Sequence, residues 1–143
     1  MKTSPRRRSR EIALQALYAW QLAGGNPLEE LRTLDVEGRA DRELAEGLVR
    51  GVLGHVEELR ALIAPCLDRD FERLSPVERA ILYIGTFELQ AHPETPFKVV
   101  VNEAVELGKS YGGTGGHKYV NGVLEKLALA LRPDEVARGK QPA

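Results

Sequence analysis

Residues 74–111 read LSPVERAILYIGTFELQAHPETPFKVVVNEAVELGKSY, and they carry two helix signatures in succession. Ser75 stands where an N-cap is needed, Pro76 suits the first helical position, and Glu78 completes a capping box. Val77, Ala80, Ile81, Ile84 and Phe87 then recur at helical spacing, with Leu82 and Leu89 to one side. His92-Pro93 ends this helix and Thr95-Pro96 starts the next. Phe97, Val100, Val101, Ala104, Val105 and Gly108 form its apolar stripe. The valines at 99–101 are the one β-branched cluster of the chain, and their weaker helix propensity must be offset by burial.

The same periodicity extends in both directions. On the N-terminal side, a helix from about Arg8 to Ala23 gathers Ala13, Ala16, Leu17 and Trp20 on one face, and Gly24-Gly25-Asn26-Pro27 stops it. A short acidic helix is expected near Leu28–Leu34. A long one is expected over about 39–64, where Leu44, Leu48, Val52, Val56, Leu59 and Ile63 step by threes and fours up to Pro65. Leu67–Arg73 reads as a turn or short helix, and Cys66 as an inert thiol. On the C-terminal side, the segment Gly112-Gly113-Thr114-Gly115-Gly116 breaks the chain before a last helix carrying Val120, Val123, Leu124, Leu127 and Leu131. Gly122 inside that helix suggests a close helix contact, because glycine there costs about 1 kcal/mol against alanine. The expected fold is all-α, with six or seven helices. The expected organisation is a basic flexible arm at 1–10, a helical domain at 11–133 and a loose tail at 134–143.

Composition removes several function classes. With 43% apolar residues in 143, a core forms without metals or disulfides, and the single Cys66 forbids an internal disulfide. His55, His92 and His117 lie far apart, so no metal-ligand spacing is present. Phosphate-binding glycine loops and nucleophile elbows are missing too. No catalytic residue, metal or cofactor is therefore expected. The uncharged stretch at 12–28 is broken by Gln15, Gln21 and Asn26, unlike a signal peptide or membrane span, and a cytoplasmic location is expected.

Charge distribution is more informative than the net −1. Lys2, Arg6, Arg7, Arg8 and Arg10 give the first ten residues +5, whereas residues 28–47 hold seven acids against three bases. A basic end on an acidic body reads equally as a nucleic-acid contact or as a solvated terminus. Two further features extend it. Gln15 and Tyr18 lie on one face of the first helix, and the segment from Lys109 to Asn121 brings Gly112, Tyr111, His117, Lys118 and Tyr119. Guanidinium groups, aromatic rings, amides and loop N–H groups are what single-stranded RNA requires of a protein. Each also has a plainer reading: Tyr18 as a core tyrosine, Gly112–Gly116 as a linker, and His117 and Lys118 as first-turn helix residues.

RRRSREIALQALYAWQL, LSPVERAILYIGTFEL, TPFKVVVNEAVELGKSYG and HKYVNGVLEK, in this order, closely resemble the NusB family of bacterial transcription antitermination factors. The resemblance runs from Arg6 to Pro133. It implies two small three-helix units packed as one domain. It also implies a function: binding, together with the small-subunit ribosomal protein NusE, of the boxA segment of nascent ribosomal RNA leaders, so that RNA polymerase reads through terminators. Other Nus factors and the polymerase are then indirect partners. Some family members are homodimers, and the sequence leaves that state open. By the same resemblance Arg6, Arg7, Arg8 and Arg10 match the arginine-rich RNA-binding motif, and Gln15 and Tyr18 match polar positions beside it. Lys109, Gly112, His117, Lys118, Tyr119 and Asn121 fall on the loop and helix start that complete the RNA surface. The helix opening at Ser75 matches the region that receives NusE, which assigns Glu78, Arg79, Leu82 and Tyr83 to that interface. The chain departs from the family at Thr114-Gly115-Gly116, where acidic or polar residues are common, leaving backbone as the expected contact.

Two other classes fit parts of the pattern. NusB-like domains also precede the catalytic part of certain RNA 5-methylcytosine methyltransferases, but those need a large α/β domain for which the residues after Pro133 leave no room. A scaffold that binds only protein would leave the arginine-rich end without a role.

Overall fold

The computed structural model describes residues 3–113 and 115–139. Eight α-helices lie among them: α1 Pro5–Ala23, α2 Pro27–Leu34, α3 Arg42–Gly54, α4 Val56–Ile63, α5 Pro76–Ala91, α6 Phe97–Tyr111, α7 Gly116–Leu131 and α8 Pro133–Gly139. Short 3-10 turns at Ala64–Cys66 and Phe71–Arg73 replace the single turn expected between α4 and α5. Helices α1, α2 and α3 pack on one another, as do α5, α6 and α7, and α1 lies against α5 to join the two units. The shared core contains Leu14, Leu17, Leu48, Leu59, Ile81 and Leu124, each fully buried.

The capping box at α5 forms: Glu78 N–H donates to Ser75 Oγ, and Ser75 N–H donates to Glu78 Oε1, each at 3.1 Å. A serine cap followed by proline, without the reciprocal bond, opens α1. Ser4 Oγ accepts from Arg7 N–H at 3.1 Å and Pro5 takes the first position, so the helix begins at Pro5 rather than near Arg8. The described part of the expected flexible arm is thus the first turn of α1, while Met1 and Lys2 lie outside the described residues.

The long helix expected over 39–64 is two helices. His55 adopts φ −136°, ψ 26°, which ends α3 and starts α4. Gly51 and Gly54 weaken the helix there. Gly51 is also held flush against α5, since a Cβ on it would stand 2.1 Å from the Phe87 ring. The apolar stripe crosses the break without interruption, so periodicity alone reads one helix.

The C-terminal tail is also ordered further than expected. α8 buries Val136, and Arg132 just before it donates to the carbonyls of Leu89, Glu88 and His92 at 2.9, 3.1 and 2.8 Å. One guanidinium thereby satisfies the open C-terminal end of α5. Glu135 closes the arrangement, accepting from Arg132 at 3.0 Å and from Phe97 N–H at 2.9 Å. Residues 140–143 of the tail lie outside the described residues. Gly122 is corrected as well: a Cβ there would meet nothing within 4 Å. The close contact falls at Gly108, where a Cβ would stand 2.9 Å from His117 Cα and force α6 and α7 apart.

Candidate nucleic-acid interface

The start of α1 spreads four arginines around one and a half turns, and their surroundings separate them. Arg6 is exposed. Arg7 forks onto Glu103 of α6, with Nε at 3.0 Å from Oε2 and Nη2 at 3.1 Å from Oε1. Those hydrogen bonds and the charge of Glu103 raise the pKa of Arg7. Arg8 reaches the Leu34 carbonyl at 3.2 Å and Glu11 at 3.5 Å. Arg10 faces the core. Only 3% exposed, it forms a two-pronged pair with Glu88 of α5 at 2.8 and 2.9 Å. Burial is the largest influence and works against its charge, yet the hydrogen bonds to Glu88 and the negative charge of Glu88 together outweigh it and hold the pKa above the ordinary value. Arg10 therefore fastens α1 to α5 and is unavailable to a phosphate, which corrects its assignment from sequence. The helical period carries it there, because it sits one turn before Leu14 on the buried face.

One turn further along, Gln15 Nε2 donates to the hydroxyl of Tyr111 on α6 at 3.2 Å, and that hydroxyl donates to Glu11 at 3.4 Å. Burial, helped by the negative charge of Glu11, raises the Tyr111 pKa and keeps the hydroxyl a donor. Tyr18 continues the face and is 39% exposed, so the core reading of it does not hold. Leu22, the next residue on this face, is 60% exposed and carried no signal in the sequence beyond its spacing.

The segment 109–121 does not converge on this face as a block. Gly112 N–H closes α6 by donating to the Gly108 carbonyl at 2.9 Å, and Thr114 lies outside the described residues. Lys109, which pairs with Glu106 at 3.3 Å, joins His117, Lys118 and Asn121 along a groove between α6 and α7. Tyr119 is not part of that groove. Its hydroxyl donates to Asp68 at 3.0 Å, and Arg69 stacks 4.4 Å from its ring centre. The hydrogen bonds from Arg69 and Tyr119 pull the Asp68 carboxyl below its usual range, while burial pushes the Tyr119 hydroxyl up. With its ring face already covered, Tyr119 is a poorer stacking platform than Tyr18.

The expected partner face on α5 is also rearranged. Leu82 is fully buried and Tyr83 only 3% exposed, with its ring 5.4 Å from Phe71, so neither stands on an exposed face. Both sit on parts of α5 that other elements cover, Tyr83 under the Phe71 ring among them. Glu78 is half-buried and engaged in the capping box. Arg79 donates to the carbonyls of Leu74 and Glu72 at 3.1 and 2.9 Å. What remains open is a cleft of about 450 Å³ beside them, lined by Trp20, Gln21, Arg60, Phe71, Arg79 and Tyr83. Arg60 lies 4.7 Å from the centre of the Phe71 ring and pairs with Glu72. These residues come from separate segments, so the sequence offered no local signal for them.

Fold and surface together define a class: an all-helical domain of two three-helix units with a basic helix end beside an aromatic and amide face. Within that class the chain belongs to the NusB family, whose model matches residues 7–129. It is 51% identical over 141 residues to the transcription antitermination protein NusB of Dechloromonas aromatica, covering 96% of this chain and 86% of that protein. It is 52% identical over 138 residues to the protein of the same name from Burkholderia lata, covering 94% and 95%. Among solved structures it resembles T. maritima NusB, with a TM-score of 0.84 at 30% identity over 96% of this chain and 99% of that one. It also resembles a chain in a crystal structure of the antitermination factors NusB and NusE in complex with dsRNA, with a TM-score of 0.77 at 32% identity over 87% and 96%.

Proposed function

We propose that this protein is an RNA-binding transcription antitermination factor. Acting with NusE, it would bind the boxA segment of nascent ribosomal RNA leaders and so help RNA polymerase pass terminators. The observation that carries this reading is the outer surface of α1, where Arg7 and Arg8 precede Gln15 and the open ring of Tyr18 along one helix, with Arg6 exposed at the same helix end. Guanidinium groups take phosphates without regard to sequence, and an exposed ring and an amide take bases. Similarity to a chain in a solved complex of NusB and NusE with dsRNA supports NusE and RNA as partners, and the single-stranded form rests on the exposed ring and amide of α1. For NusE we favour the rim formed by Glu78 and Arg79 together with the aromatic cleft next to them, whose ring-lined floor and charged edge suit a protein interface.

The role is binding rather than catalysis, and the working place is the cytoplasm. No helix among the described residues is long and apolar enough to cross a membrane. Other Nus factors and the polymerase would be reached through the RNA and NusE. A homodimer that covers the basic surface is the competing state. Titrating a boxA-like and a scrambled single-stranded RNA, each with and without NusE, tests the proposal. Tighter binding of the boxA-like RNA, strengthened by NusE, is expected. Equal binding of both RNAs with no effect of NusE would overturn it.

A further inference from the structure

The α6–α7 groove differs from the α1 surface in one respect that bears on binding. On α1 the arginines that touch other elements are held by carboxylates: Arg7 by Glu103, Arg8 by Glu11, Arg10 by Glu88. In the groove, Lys98 and Lys118 have no ion-pair partner among the described residues, and both are exposed. The groove has a volume of about 650 Å³ and ends at α8, where Gly139 lies against Phe97 and Lys98. Val101 and Val105 form its floor, Asn102 and Asn121 face each other's helices across it, and Glu125 is the one acid lining it.

We propose that this groove is a second subsite for single-stranded RNA, an extension of the strand bound at α1, with Lys98 taking a phosphate and Asn102 and Asn121 taking base edges. The inference rests on the RNA-binding reading above. Charge complementarity fixes the occupant as an anion, since lysines without partners outnumber the single acid. The two amides and the valine floor select among anions, because a base offers both an edge to an amide and an apolar face to a side chain. An acidic peptide would use the lysines and could meet the amides through its backbone, so the groove's position beside the α1 surface is what favours RNA. The groove is also within reach of a bound strand: Asn102 and Lys109 on one flank of α6 are neighbours in sequence of Glu103 and Ser110, and Glu103 and Tyr111 meet α1 on the other flank. Only one helix separates the two surfaces.

The test uses two RNAs, a short boxA-like strand and the same strand extended by roughly eight nucleotides at each end. Salt titrations are run on the full chain and on the double variant Lys98→Ala/Asn102→Ala. Both substituted side chains are exposed, and circular dichroism confirms that the fold is kept. The wild type is expected to bind the extended RNA more tightly, and the variant to lose that gain while binding the short RNA normally. A single-strand phosphate contact contributes about 0.7 to the slope of log affinity against log salt. The extended-RNA slope should therefore fall by about 0.7 in the variant, which makes the wild-type advantage shrink roughly 2.6-fold between 50 and 200 mM salt. If the short RNA binds but extension adds nothing, or if the variant keeps the gain, the subsite is refuted and the α1 reading stands. If neither RNA binds the folded wild type, the RNA-binding reading itself fails and takes the subsite with it.

Discussion

The two flanks of α6 use positive charge in opposite ways. On the α1 flank every arginine that reaches another element is answered by a carboxylate, and two of these pairs, Arg7–Glu103 and Arg10–Glu88, tie α1 to α6 and α5. On the α7 flank Lys98 and Lys118 are left open. A run of basic residues in a sequence thus says little about how many charges are free for a ligand. In the RRRSR stretch one guanidinium is structural, two are shared with acids and one is free of any recorded partner among the described residues.

The largest effect is expected at Arg10. Arg10→Ala leaves Glu88, itself 1% exposed, as a buried charge without its partner. Removing one member of a buried pair typically costs about 3–5 kcal/mol. Urea unfolding should show a loss of that order, and a change under about 1 kcal/mol would mean that the pair is not what joins α1 to α5.

Next in size is the combined Arg6→Ala, Arg7→Ala and Arg8→Ala variant. Three phosphate contacts give a single-strand salt slope of about −2, which should vanish together with its share of affinity for boxA-like and scrambled RNA alike. Truncating the whole basic segment is the wrong experiment, because it also removes the Ser4–Pro5 helix start and Arg10. Unchanged salt dependence in the triple variant would make these side chains purely structural.

Tyr18 and Tyr119 differ in the same way as stacking platforms. Tyr18→Ala should cost about 1–3 kcal/mol of affinity on the cognate RNA with little change in slope. Tyr119→Ala should cost distinctly less, since Arg69 already covers its ring. Fluorescence anisotropy on both variants checks the order, and a larger loss at Tyr119 would reverse the site's polarity.

The smallest effect is expected at Glu103. Glu103→Gln removes the carboxylate that competes with phosphate for Arg7, a partly exposed pair worth about 0.2–1 kcal/mol. RNA affinity should rise by up to about fivefold. A fall in affinity would show instead that Glu103 positions Arg7 for the RNA.

The helical class and most helix boundaries are legible in the residues alone, because helix starts, stops and apolar stripes are local properties of the chain. The capping box at Ser75, the stops at Gly24 and His92, and the stripe of α6 are all where the residues put them. The blocks running from the first arginines to the last helix were enough to indicate the NusB family that residues 7–129 match. The Ser4–Pro5 start was legible too, in the same two letters as Ser75–Pro76, but the surrounding arginines masked it as a solvated arm. Which helix face meets which neighbour is settled by packing across the fold. Arg10 is claimed by Glu88 from 78 residues away, Tyr119 is covered by Arg69, and Leu82 and Tyr83 are sealed by packing against α5. The end of α5 depends on Arg132 in the same manner. Pairing and burial of this kind depend on distances across the fold, and a one-dimensional pattern of residues contains no such distances.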